Sequence, residues 1–217
     1  MLGKIKLIRK IIKWSGIIGA VTIFFLGIGT VFFLDGLGSD DGSSSGSIGS
    51  GTVSGFVQYY QNDYPDTPCG GGTIASSGCG QTSFAMIAST ISGEKITPKD
   101  AVTWCGNKYW VPGKGTSWSY FAAAKEHFNI GGTLTETENI DDVVSALKNG
   151  ALVISSQGPG LFTGRGHFIV LSGIDDSEQI SVKDPNKDNA VTKGYNDKKF
   201  TKSQIAEAAN GYWIFTF

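Results

Sequence analysis

A cysteine stands between two glycines in SSGCGQTSFAMIAS, residues 76–89, immediately before a run whose apolar residues recur at helical spacing. A structural cysteine is buried among hydrophobes or paired with another, and neither role needs flanking glycines. A thiol held at a helix N-terminus is different, because the dipole there favours thiolate, the form that attacks a carbonyl. Such a nucleophile needs a base, and the chain has only 2 histidines. His127, in AAAKEHFNI beside Lys125 and Glu126, reads as a surface residue in the last turn of a helix. His167, in GRGHFIVLSGID, follows a glycine-bracketed loop and opens a strongly apolar strand, and glycines at such a place let a substrate backbone come close. The base in turn needs an acceptor to orient it. HFIVLSGI and QISVKDP flank the turn DDSE, and a hairpin centred near Asp175 and Asp176 would set Asp184 directly beside His167. Without that hairpin, an aspartate just before Pro185 would be an ordinary turn residue.

The elements that must position these residues follow from pattern. Phe84, Ile87, Ala88 and Ile91 recur at helical spacing from Cys79 until Gly93 stops the helix. Thr97, Pro98 and Asp100 supply an N-cap, a first-turn proline and an acidic first turn for a second helix, to about Trp104. A third is expected from about Ser117 to Phe128, and a fourth in ENIDDVVSALKNG, ended by Gly150. The pattern then changes to strands in ALVISS, GHFIVLSGI and QISVKDP. Thr201 and Gln204 have capping-box spacing for a late helix, and GYWIFTF reads as a closing strand that should be paired and buried. Helices first and strands later indicate an α+β fold.

Ahead of this domain the composition is quite different. Lys4, Lys6, Arg9, Lys10 and Lys13 place +5 on residues 1–14, which leaves −6 on the remainder of a chain whose net charge is −1. That remainder offers no basic footprint for nucleic acid. Residues 15–34, SGIIGAVTIFFLGIGTVFFL, carry no charge and would span roughly 30 Å as a helix, the thickness of a bilayer core. Basic residues before this run and Asp35, Asp40 and Asp41 after it predict a single-pass membrane protein with a cytoplasmic N-terminus and everything else outside. A cleaved signal peptide is the alternative, but no A-x-A-like site follows the run. Residues 35–55 are dominated by Gly and Ser and read as a flexible tether, so the working domain is residues 56–217.

Outside the membrane disulfides can persist, and 3 cysteines suggest one bridge and one remaining thiol. Cys69 lies in the loop PDTPCGGG and Cys105 ends a short helix in VTWCGN; neither position presents a nucleophile. A Cys69–Cys105 bridge would contribute about 3 to 4 kcal/mol by chain entropy, less any strain, and leave Cys79 free. A bridge that includes Cys79, with Cys69 near it in sequence, is the competing pairing.

Taken in order, GCGQTSFAMI, GHFIVLSGI and VKDPN resemble the cysteine, histidine and aspartate segments of the family 39 cysteine peptidases, which are papain-like in fold and include bacteriocin-leader processing enzymes. The resemblance runs from FVQYYQNDYP to GYWIFTF. It implies N-terminal helices packed on a C-terminal antiparallel sheet, with Cys79 as nucleophile, His167 as general base and Asp184 as its orienter. It also implies an oxyanion-binding glutamine upstream of the cysteine: Gln61 in YYQNDYP, or less well Gln58, although the segment between Gln61 and Cys79 is unusually rich in Gly and Ser. The implied reaction is peptide or amide hydrolysis without metal or organic cofactor, on a peptide or protein outside the cell. Two other functions compete. The same chemistry could cut peptidoglycan stem peptides near the wall, although no wall-binding repeat is present. A catalytically silent binding module could instead use Trp110, Trp118 and Tyr120 to line a ligand groove, where core packing is the plainer role for such aromatics.

Overall fold

The computed structural model describes residues 55–217; the basic segment, the apolar run and all but the last residue of the Gly/Ser-rich tether lie outside the described residues. Short elements lead into the first long helix. Strands β1 (Pro68–Cys69) and β2 (Gly72–Thr73) form a hairpin, followed by helix α1 (Ile74–Ser77) and then α2 (Cys79–Ser92). Gly93 ends α2 in the left-handed conformation at φ 72°, which a residue without a Cβ adopts at no steric cost. Helix α3 (Pro98–Thr103) starts on a capping box between Thr97 and Asp100. A second small hairpin, β3 (Trp110–Val111) and β4 (Gly115–Thr116), precedes α4 (Tyr120–His127). This helix begins later than its sequence suggests. Ser117 donates its N–H to Tyr109 O and accepts from Tyr120 N, so residues 117–119 turn out of the hairpin instead of entering the helix.

The remaining chain builds the sheet from β5 (Thr133–Thr137), β6 (Leu152–Gln157), β7 (His167–Ile174), β8 (Ile180–Lys183), β9 (Lys199–Phe200) and β10 (Ala209–Thr216), with α5 (Ile140–Lys148) and α6 (Lys202–Ala206) as connections. Its order is β5-β10-β6-β7-β8-β9, antiparallel throughout. The closing strand is thus paired on both sides. Every residue of β6 and β7 is buried, which is why LVI in β6 and FIVL in β7 read as unbroken apolar runs instead of alternating ones.

Two apolar layers cover the sheet. Phe168, Val170, Ile154, Trp213 and Phe215 pack with Phe84, Ile87 and Phe121 from α2 and α4. Ile169, Leu171, Val153 and Ile214 face the other way and pack with Val143 and Leu147 of α5. The α+β class holds, and the helices lie on both faces of the antiparallel sheet.

The hairpin between β7 and β8 corrects the expected register. Val170 pairs with Lys183 and Leu171 with Val182, whereas a turn centred near Asp175 and Asp176 would have paired them with residues one or two positions earlier in the strand. The turn is longer than DDSE: Asp175 N donates to Gln179 O, the Asp175 carboxylate accepts from Ser177 N and Gln179 N, and Glu178 sits at φ 57°. A bulge between Leu171 and Gly173 shifts the ladder once more. Asp184, just beyond β8, therefore lies diagonally across from His167 and not directly opposite it.

The expected Cys69–Cys105 disulfide is also corrected, since Cys69, Cys79 and Cys105 are all free thiols. Cys69 is packed against Ile74 and Val102, while the Cys105 sulfur turns back on the carbonyls of Ala101 and Val102 at 3.7 and 3.6 Å. Thiol titration of the denatured, unreduced protein should therefore count three reactive thiols; a single one would restore the bridge.

Candidate active site

Helix α2 opens on Cys79. The first N–H to find a partner one turn back is that of Thr82, bonded to Gly78 O at 2.9 Å, so helix geometry leaves the N–H groups of Cys79, Gly80 and Gln81 without an intrahelical acceptor. Close approach explains the glycine at position 80. A Cβ there would stand 2.6 Å from Thr116 Oγ1 and 2.8 Å from Thr116 Cβ, because β4 lies directly against the first turn of α2. The two elements are also joined by a hydrogen bond from Thr116 Oγ1 to Gln81 Oε1 at 3.0 Å.

His167 is the first residue of β7 and is buried. Its Nε2 lies 2.8 Å from Asp184 Oδ1, which leaves Nδ1 as the ring nitrogen for the Cys79 sulfur, and thiol and ring each favour the charged form of the other. Asp184 is fully buried, and several groups satisfy it. Asn186 N donates to Oδ1 at 2.7 Å and Asn189 Nδ2 to Oδ2 at 3.0 Å. The same Asn189 amide also donates to Phe162 O at 2.9 Å. The Asp184 backbone is held as well, its N–H donating to Asn196 Oδ1 at 2.8 Å and its carbonyl accepting from Gln58 Nε2 at 3.1 Å. Asn196 Nδ2 closes this ring by donating to Gln58 Oε1 at 3.1 Å. Gln58 thus belongs to the support of the aspartate and not to the thiol.

Gln61 lies in a 3-10 turn, Gln61–Asp63, and is buried. Its backbone N–H donates to Pro185 O at 2.8 Å, tying it to the aspartate loop. Its side-chain Nε2 donates to Ala75 O at 2.7 Å, in the helix immediately before Cys79, while Oε1 is buried without a partner among the described residues. One amide proton of Nε2 remains for another acceptor. His127 behaves as its sequence position suggests: it is exposed at the end of α4, stacked on Trp104 with ring centroids 4.4 Å apart.

The electrostatics separate the three cysteines. Burial opposes ionisation of Cys79, but hydrogen bonding to His167, the charge of that ring and backbone hydrogen bonds from Phe168 and Gly80 outweigh it and hold the thiol below its ordinary pKa. Burial is the largest cause in the other two: it pushes Cys69 up to about 11, aided by the charges of Cys79 and Cys105, and it raises Cys105 against a backbone hydrogen bond and the charge of Lys108. For His167, desolvation disfavours the charged ring, yet the hydrogen bonds and negative charge of Asp184 and Cys79 prevail and raise its pKa to about 10. The arrangement favours a thiolate beside an imidazolium, a pair suited to attack on a carbonyl followed by proton delivery to the leaving group. Among the described residues no group of three or more His, Cys, Asp or Glu side chains is placed to hold a metal ion.

The sequence did not point to Asn189, Asn196 or the supporting role of Gln58. Asn186 had a signal in the turn chemistry of DPN, since an aspartate commonly accepts from the N–H two residues on.

Residues 53–212 match the family model described as the Peptidase_C39 like family. Among solved structures, a protein described as a C39-like peptidase from Bacillus anthracis is similar at 16% identity, over 76% of this chain and 96% of that one, with a TM-score of 0.49. The peptidase domain of Streptococcus ComA, a bi-functional ABC transporter involved in quorum sensing, is similar at 15% identity, over 64% of this chain and 90% of that one, with a TM-score of 0.47. No curated protein matches the chain.

The contact at Gly80 can be tested directly. Gly80→Ala should destabilise the protein by about 1–3 kcal/mol in denaturant unfolding, because the added methyl must displace β4. Combining it with Thr116→Gly should recover part of that loss, whereas strictly additive costs would contradict the contact.

Proposed function

We propose that this chain, which belongs to the Peptidase_C39-like family, is a papain-like cysteine peptidase that uses Cys79, His167 and Asp184. One observation carries the reading: a buried imidazole has its Nε2 fixed 2.8 Å from a buried carboxylate, and its charge holds the thiol at the start of a helix below its ordinary pKa.

In this reaction the Cys79 sulfur attacks the carbonyl carbon of the scissile bond, and the carbonyl electron pair moves onto oxygen. The resulting oxyanion lies at the start of α2, where the Cys79 N–H and the second Nε2 proton of Gln61 are its donors. Collapse of the tetrahedral intermediate breaks the carbon–nitrogen bond as His167 gives its proton to the leaving amine. His167 then takes a proton from water, whose oxygen attacks the thioester. Release of the carboxylic acid restores the thiolate and the imidazolium. Asp184 keeps the ring in the orientation that both transfers require, and it remains a hydrogen-bond acceptor throughout.

The catalytic domain is assigned to residues 56–217, with residues 35–55 as its tether, 15–34 as a single membrane span and 1–14 on the cytoplasmic side, so that hydrolysis takes place outside the cell. Support for this placement is the charge asymmetry around the uncharged run. Among the described residues no helix is long and apolar enough to cross a membrane. The substrate is a peptide or protein.

With the full chain, a mixture of oligopeptides should be hydrolysed and the activity abolished by Cys79→Ala; cleavage that survives this substitution would contradict the assignment. Gln61→Ala should lower kcat by about 10²–10³-fold, the usual cost of one oxyanion donor, and also lower stability by about 1–3 kcal/mol because Ala75 O loses its buried donor. An unchanged kcat would remove Gln61 from the site. The pH dependence follows from the two displaced pKa values. Because the Cys79 pKa is lowered, alkylation by iodoacetamide should stay fast in mildly acidic buffer, where an ordinary thiol of pKa about 8.5 is largely unreactive. Asp184→Asn removes the negative charge that keeps the ring protonated, so its alkylation should slow as the pH falls through that range. Identical profiles for the two proteins would contradict the coupling.

A further inference from the structure

The α2-facing side of the sheet carries a groove of about 440 Å³ whose lining includes Trp118, Glu136, Glu138, Gly211 and Trp213. Strand register locates it relative to the thiol. Phe168, whose carbonyl accepts from Ser83 Oγ about one turn along α2 from Cys79, pairs with Ser156, and Ser156 pairs with Gly211. The groove therefore begins two strands from the nucleophile, about 10 Å at the usual strand spacing. An extended peptide advances about 3.3 Å per residue, so a side chain about three residues from the scissile bond reaches it.

The side of the bond follows from His167. The leaving amine must face the ring that protonates it, and Asp184 holds that ring from the β8 side of β7. The groove lies on the other side of β7, across β6 and β10, where the acyl half of the substrate would run.

Its walls have a definite chemistry. Glu136 is directly opposite Trp213 in the β5–β10 ladder, so the two side chains share a face, and Glu138 follows two residues on. Both glutamates are exposed, and neither has an ion-pair partner among the described residues. Trp118 is 46% exposed and stands edge-on to Trp213 with ring centroids 5.4 Å apart. Gly211 keeps the floor open between them, since a Cβ there would already touch both indoles at 3.8 and 3.9 Å. The indole N–H of Trp213 is buried and has no hydrogen-bond partner among the described residues. Unpaired carboxylates beside a half-exposed indole suit a cation on an aliphatic stem, which gains from the charges, from the ring face and from covering apolar surface.

We propose that this groove is a specificity subsite that receives a lysine or arginine side chain about three residues to the acyl side of the scissile bond. The proposal rests on Cys79 being the nucleophile of a peptidase. Peptidyl chloromethyl ketones with Lys, norleucine or Glu at the second or third residue from the electrophile test it by their rate of Cys79 alkylation, with iodoacetamide measured alongside. A Lys probe should react about tenfold faster than its Glu counterpart, high salt should shrink the difference, and Glu136→Gln/Glu138→Gln should abolish it. Fast iodoacetamide alkylation with equal rates for the three peptidyl probes would overturn the subsite and leave the peptidase standing. A thiol that iodoacetamide modifies only as slowly as an ordinary cysteine would overturn the peptidase reading and the subsite with it. The comparison of Lys and Glu probes is made on the unmodified protein, so it does not depend on how the double variant folds.

Discussion

A charged imidazole inside a protein is expensive unless something holds it, and the buried contact between His167 and Asp184 is what the rest of this site depends on. Desolvation opposes both charges. A buried carboxylate needs its lone pairs satisfied, and Asp184 accepts from the His167 ring, from Asn186 N and from Asn189 Nδ2. Those bonds explain the unusual density of amide side chains around it. Asn189 comes from a π-turn at Asp188–Thr192, Asn196 from the segment before β9, and Gln58 from the far end of the domain. Asn189 meets the carboxylate itself, while Asn196 and Gln58 hold the Asp184 backbone N–H and carbonyl. The segment carrying Gln61 is fastened to the same loop through Pro185.

The second constraint is the approach of α2 to β7. Phe84 and Ile87 pack on the same layer as Phe168 and Val170, and Ser83 Oγ donates to Phe168 O at 3.3 Å, so the helix cannot slide along the strand without breaking both kinds of contact. This fixes the distance from Cys79 to the start of β7, where His167 stands. Strands buried on both faces make a stiff support, because motion of one core layer would open voids in the other. Cys79 and His167 are thus held by regular elements and not by loops alone.

Much of this arrangement was legible in the chain. A glycine-flanked cysteine before a 3.6-residue pattern marks the helix start, the Thr97 and Thr201 capping boxes form as spaced, and the closing aromatic strand is paired on both edges. Local chemistry specifies such features, so local reading finds them. Register was less accessible. The turn after β7 looked like four residues because DDSE is polar, but Asp175 caps a longer loop and a bulge in β7 precedes it, neither of which periodicity reveals. Edge strand β5, TLTET, carries little apolar signal because most of it faces solvent, and its partner is the C-terminal strand far along the chain. Cysteine pairing failed for a related reason: counting thiols says nothing of where each sulfur points, and that of Cys105 turns to its own helix. Asn189 and Asn196 reach Asp184 from the π-turn and from the segment before β9, a placement that no short motif encodes.

The central claim is a statement about one proton, and nitrogen NMR of histidine-labelled protein reads it directly. With only two histidines in the chain, His127→Gln assigns the His167 signals. The account predicts that at neutral pH both ring nitrogens of His167 are protonated and stay so as the pH rises toward its raised pKa, with the Nε2 proton shifted by the bond to Asp184. A neutral ring at neutral pH, titrating near the ordinary histidine pKa of about 6.5, would contradict it.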